Sequence, residues 1–110
     1  SLEISYRKLL LCAGDLGFAS SITYDFEVYA PGQKRWLECS SVSNFKTYQS
    51  NRMNLKIRYN KDKVLAHTLN GSALALPRIV AAILETHQDK DEINVPKVLH
   101  NYTGFKKITL

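Results

Sequence analysis

The sequence predicts an α+β fold, an antiparallel sheet backed by one central buried helix. Residues 23–30 alternate, with Tyr24, Phe26 and Val28 on one face and Asp25, Glu27 and Tyr29 on the other, the period of a half-buried strand. Pro31-Gly32-Gln33-Lys34 has turn chemistry, and residues 35–43 return as a second strand, so the pair reads as a hairpin. Residues 73–88 form the longest helical segment. Its stretch Ile79-Val80-Ala81-Ala82-Ile83-Leu84 is apolar all round, which predicts burial on more than one side.

The remaining elements follow in order. Residues 6–12, with Leu9, Leu10 and Leu11, read as a buried strand that enters the glycine loop Ala13-Gly14-Asp15-Leu16-Gly17. Residues 45–53 lose the alternation and fit a short helix capped by Asn44. Leu55-Lys56-Ile57-Arg58-Tyr59 alternates again, Asn60-Lys61-Asp62-Lys63 turns, and residues 64–69 make the next strand. Residues 95–102 close the chain as a short helix with Pro96 near its first turn.

With 110 residues and 45% hydrophobic content, the chain fits one domain with a modest core and no second domain. No apolar run reaches about 18 residues, so no spanning helix and no membrane partner are expected. Ser1-Leu2-Glu3-Ile4 has no basic region or cleavage pattern, and no secretory signal is expected. Cys12 and Cys39 have no metal-ligand spacing and read as free thiols of a reducing cytoplasm.

Fifteen Lys and Arg against ten Asp and Glu give a net charge of +5. Residues 34–63 alone hold eight bases and two acids, interleaved with Trp36, Phe45, Tyr48 and Tyr59. Such a stretch suits a phosphate backbone, although lysines that guard strand edges would give the same count.

Three constellations could carry chemistry. Arg78 is the only charge between Val64 and Leu84, counting His67 as neutral, and begins the apolar helix. A guanidinium there needs an anion: a structural carboxylate such as Glu38 or Glu85, or the phosphates of a ligand. The string Glu38-Cys39-Ser40-Ser41-Val42-Ser43-Asn44 offers a carboxylate and hydroxyls at a strand end, hard-oxygen chemistry suited to Mg²⁺ beside a nucleotide's phosphates. Its plainer reading is a polar strand end. His67-Thr68-Leu69-Asn70-Gly71-Ser72 runs into a small polar turn, where Asn70 and Ser72 can read a small ligand. No nucleophile–base–orienter set and no P-loop is present in the sequence.

Taken in order, these strings resemble the C-terminal part of a bacterial-type seryl-tRNA synthetase, a class II aminoacyl-tRNA synthetase. Tyr6-Arg7-Lys8, Ala13 to Phe18, Tyr24 to Val28, Glu38 to Asn44, Tyr48-Gln49-Ser50, His67 to Arg78, Leu84-Glu85, Gln88, Val95 to Leu99 and Tyr102-Thr103-Gly104 carry the likeness. It covers essentially all residues 1–110 and implies a class II catalytic-core fragment around motif 3. Departures fall at Ala13, Val42, Asn51, Ala73 and Pro77, none of them at the charged contacts.

The resemblance implies a serine–tRNA ligase that uses ATP to make seryl-adenylate and then charges tRNA(Ser). It puts the γ-phosphate contact on Arg78, as the catalytic residue, and ATP contacts on Glu38, Cys39, Ser40 and Ser41. It also puts Mg²⁺ on Glu38 and Ser41, and the substrate serine on Asn70 and Ser72. Motif 1 with its dimer contacts, motif 2 with a further arginine, and the tRNA-binding arm belong upstream in that family. A homodimeric, cytoplasmic parent is therefore implied, with the isolated chain inactive. The alternative is a synthetase-derived nucleic-acid-binding or regulatory module that has lost catalysis.

Overall fold

A computed structural model describes residues 1–109. In chain order the elements are β1 (Tyr6–Leu10), β2 (Ile22–Ala30), β3 (Arg35–Lys46), α1 (Tyr48–Met53), β4 (Lys56–Tyr59), β5 (Asp62–Leu65) and β6 (Thr68–Gly71). They continue with α2 (Leu76–His87), β7 (Gln88–Asp89), β8 (Glu92–Asn94), a 3₁₀ turn at Lys97–Leu99, α3 (His100–Thr103) and β9 (Lys107–Thr109). The hydrogen-bonded strand orders are β1-β2-β3-β6, β4-β5 and β7-β8-β9. Pairing is antiparallel: Leu11 and Tyr29 donate amides to Thr23 and Ser5, each at 3.0 Å, so β1 and β2 run in opposite directions.

The chain divides into two compact units. The first comprises Ser1–Arg7, Phe26–Cys39 and Leu74–Leu110. Its core is Val28, Cys39, Ile79 and Ala82, with Phe26, Leu37 and Ile83 packed around them. One face of α2 thus lies on the β2–β3 hairpin. Only that face is buried: Leu76 and Val80, four residues apart, are 68% and 52% exposed. The expected burial on several sides is therefore corrected. The run 79–84 is apolar all round in composition, but only Ile79 and Ala82 reach the buried set.

Helix α2 also begins three residues later than the sequence suggested. Ala75 is extended and gives its amide to the Cys39 carbonyl at 2.7 Å, and Pro77 occupies the first turn, where its missing N–H costs nothing. Glu85, on α2, holds the hairpin turn. Its carboxylate accepts the Gly32 amide at 3.0 Å and the Gln33 side-chain amide at 2.8 Å. A Cβ on Gly32 would come within 3.2 Å of that carboxylate, so a larger residue there would oblige Glu85 to give way by a few tenths of an ångström. The small β7-β8-β9 sheet is absent from the sequence reading, because strands of two and three residues are too short to display a period.

The second unit comprises Lys8–Asp25 and Ser40–Ala73. Here β3 pairs antiparallel with β6, setting Ser43 opposite Asn70 and Val42 opposite Gly71, with a bulge between Asn44 and Lys46. Asn44 is not a helix cap. It lies in β3, and its Oδ1 accepts the Lys46 amide at 2.8 Å across the bulge, so α1 starts only after Thr47. The single strand expected over 64–69 is two, β5 and β6, which pair with different partners. Residues β4 and β5 form a hairpin around Asn60-Lys61, with Asn60 at φ 56°, a conformation asparagine tolerates. Strand β1 is present, but Tyr6 and Leu10 are exposed, so it is not the buried strand that its leucines suggested.

Candidate functional site

In the first unit Arg78 stands in the opening turn of α2 and is exposed, not buried as expected. Its Nη1 donates to the main-chain carbonyl of Glu38 at 2.5 Å, and among the described residues it has no carboxylate partner. Glu85 is committed to the hairpin turn instead. Neither structural pairing weighed from the sequence is made. One of the five guanidinium N–H groups is thus engaged, and among the described residues the others have no acceptor.

Glu38 is exposed, and its carboxylate has no hydrogen bond or ion pair among the described residues. Cys39, next to it, is a core residue. It is 5% exposed and its thiol donates to the Phe26 carbonyl at 3.2 Å. Burial pushes that thiol's pKa up, against a smaller lowering by the nearby Arg78 charge. Its carbonyl already accepts Ala75, so the side chain and the carbonyl of Cys39 both serve the fold.

In the second unit the predicted residues divide between support and opening. Ser40 is buried and donates its hydroxyl to the Ser72 carbonyl at 2.5 Å, which fixes the end of β6. Asn70 and Ser72 are exposed in and just after β6. Ser41 lines a cleft of about 330 Å³ together with Ser43, Thr23, Asp15, Phe18 and Phe45. The Thr23 and Ser43 hydroxyls bond each other at 2.7 Å inside that lining. Sequence reasoning missed Thr23 and Asp15. The pattern that could have found them is a hydroxyl row on facing strands, which needs the hairpin register.

Among the described residues no group of three or more His, Cys, Asp or Glu side chains could cage a metal. Mg²⁺ does not require such a cage: one or two protein oxygens suffice when phosphates supply the rest. The Glu38 carboxylate of the first unit, without partners among the described residues, is an oxygen donor of that kind, and so, separately, is the Ser41 hydroxyl on the cleft of the second unit.

The antiparallel α+β scaffold carries, in the first unit, an anchored arginine without a carboxylate partner among the described residues and, in the second, hydroxyls that line a cleft and a small polar turn. The family model for the tRNA synthetase class II core domain (G, H, P, S and T) matches residues 1–87. The chain belongs to this family of class II tRNA synthetase cores. Within it, the chain is 50% identical over 111 residues to a serine–tRNA ligase of Salinibacter ruber, covering 98% of this chain and 26% of that protein. It is 52% identical over 105 residues to the serine–tRNA ligase of Bordetella petrii, covering 94% and 23%. Among solved structures it matches the seryl-tRNA synthetase of Pyrococcus horikoshii complexed with ATP, with a TM-score of 0.91 and 43% identity. That match covers 98% of this chain and 25% of the other. The cytoplasmic serine–tRNA ligase of Naegleria fowleri in complex with AMP matches with a TM-score of 0.90 and 32% identity, over 99% and 26%. The chain thus spans about a quarter of the length of the relatives it matches. No described helix is long and apolar enough to cross a membrane.

Proposed function

We propose that this chain is the C-terminal part of the catalytic domain of a cytoplasmic, homodimeric serine–tRNA ligase without a membrane partner. The parent would activate serine with ATP to seryl-adenylate and pyrophosphate, then transfer the seryl group to tRNA(Ser). The observation that carries this reading is Arg78, a guanidinium held in place by a main-chain carbonyl and left without a carboxylate. Salt-bridging a neighbour would explain the arginine as structure, and among the described residues it makes no such bridge.

In this reading Arg78 orients the tail of ATP and neutralises charge as pyrophosphate leaves. Glu38 and Ser41 would hold Mg²⁺, which supplies charge neutralisation on the phosphates when bound. Ser40 keeps the end of β6 in place, so that Asn70 and Ser72 can meet the serine substrate. Cys39 would act from within the core, by position, as part of the ATP-contacting string Glu38 to Ser41. No general base is needed, since a carboxylate attacks phosphorus directly and positioning does the work.

The test is ATP–pyrophosphate exchange with each amino acid in turn, on this chain and on its full-length parent. Exchange by the parent with serine alone, and none by the isolated chain, is expected. Exchange driven by another amino acid, or none by the parent, would overturn the reading and leave a synthetase-derived module without catalysis.

A further inference from the structure

We propose that one face of the β4–β5 hairpin is a binding surface for the phosphate backbone of RNA. The inference deepens the proposed function and rests on it for the identity of the anion; the arrangement of charge is read from the hairpin itself.

The hairpin register sets Lys56 opposite Leu65, Ile57 opposite Val64, Arg58 opposite Lys63 and Tyr59 opposite Asp62. Residues directly opposite share a face, and so do residues two apart along a strand. Lys56, Arg58 and Lys63 therefore stand together on one face, while the hairpin's only carboxylate, Asp62, lies on the other with Ile57, Tyr59 and Val64. Lys61 adds a fourth cation at the turn. All four are exposed, and among the described residues none forms an ion pair.

Arg58 directly across from Lys63 is a like-charge pair, which destabilises a sheet. Cross-strand neighbours are about 5 Å apart and i,i+2 neighbours about 7 Å, both within a Debye length of about 8 Å at physiological salt. The three charges therefore act as one field. Lysines that only guard a strand edge have no need to share a face. A polyanion laid on this face relieves the repulsion and releases its own counterions. The same three side chains border a cleft of about 590 Å³ with Met53, Asn54, Leu55 and, from the hairpin's other face, Ile57, so the field stands at the rim of a concave surface. An enzyme that charges tRNA meets a polyanion of this kind in every cycle.

The experiment measures binding of a fluorescently labelled tRNA(Ser) transcript to the full-length parent over a range of salt. In Lys56→Gln/Arg58→Gln/Lys63→Gln the slope of log K against log salt should become shallower by about three, roughly one for each phosphate contact removed. The affinity difference from wild type should narrow as salt rises. Serine-dependent pyrophosphate exchange, which needs no RNA, should be unchanged, so failure of the proposed function is scored separately from failure of this inference. Lys56→Arg/Arg58→Lys/Lys63→Arg should keep the wild-type slope. Lys90→Gln/Lys97→Gln/Lys106→Gln removes the same charge from exposed lysines of the first unit and should change the slope by less than about one. An unchanged slope in the hairpin variant, an equal change in the control, or lost binding in the charge-conserving variant would overturn the proposal. So would an equal loss on polyglutamate or phosphatidylserine vesicles, which would assign the face to another anionic partner.

Discussion

The first unit buries Val28, Ala30, Cys39, Ile79, Ala82 and Ile93, and the two ion pairs among the described residues, Arg7–Glu27 and Lys107–Glu92, lie within it. The second unit buries one hydrophobic residue, Ala66, beside Thr23, Ser40 and Ser50. It holds seven Lys and Arg against three Asp, a balance of +4, whereas the first unit holds eight against seven. Apolar burial is non-directional and holds α2 on its hairpin wherever the surfaces fit. Hydroxyl-to-carbonyl bonds are directional and individually modest, and they fix particular points: Ser40 to Ser72 and Ser50 to Thr47. The comparison separates a unit that gives Arg78 a rigid base from one that presents polar groups and unpaired charge.

The largest expected effect is functional. Arg78→Ala in the full-length parent should slow pyrophosphate exchange by about 10²–10³, the typical cost of about 3–4 kcal/mol for a preorganised contact to developing charge. Its melting temperature should hardly move, because the guanidinium is exposed and the Glu38 carbonyl it leaves can take water. Arg78→Lys keeps the charge, loses the fork and should fall short of wild type. Loss of folding with unchanged exchange per folded molecule would make Arg78 a structural residue.

How much of this was legible beforehand differs by element. The β2–β3 hairpin was readable because residues 23–30 alternate and Pro31-Gly32 marks the turn. Arg78 stood out as a lone charge, but its partner left no trace in sequence, since a main-chain carbonyl carries no residue identity. Asn44 misled because the same side chain that caps a helix also closes a bulge. The basic segment could be counted, yet its concentration on one face needs the pairing of Arg58 with Lys63, a register that composition does not encode. For the same reason Thr23 could not be matched to Ser43 until the strands were paired.

Next in size is a test of the apolar unit. Ile79, 7% exposed, belongs to the core cluster with Val28, Cys39 and Ala82. Ile79→Ala should cost about 2–5 kcal/mol, read by denaturant unfolding. A cost under about 1 kcal/mol would mean that the first unit is not held by this core. Ser40→Ala, by contrast, removes one donor in the second unit and should cost about 1–2 kcal/mol, with faster amide exchange in β6. Should Ser40→Ala prove as costly as Ile79→Ala, the distinction between the two kinds of burial fails.

The smallest effect sharpens the contrast by pH. Glu85 is held below its ordinary value of 4.5, chiefly by the Gln33 side-chain amide and then by the Gln33 and Gly32 main-chain amides. A carboxylate whose folded pKa is lowered stabilises the fold at pH above the ordinary value, and that contribution is lost as pH falls through the lowered value. Neutral pH should therefore show a small stability advantage of wild type over Glu85→Ala, shrinking on acidification below about pH 4.5. Gly32 and Gln33 lie at the turn that the carboxylate holds, so their amides should lose exchange protection over the same range. The Thr68 hydroxyl bond to Gln49 in the second unit involves no carboxylate, and protection around it should not follow this titration. A wild-type advantage that is constant from neutral pH through acid would show that Glu85 works by packing and not by its charge.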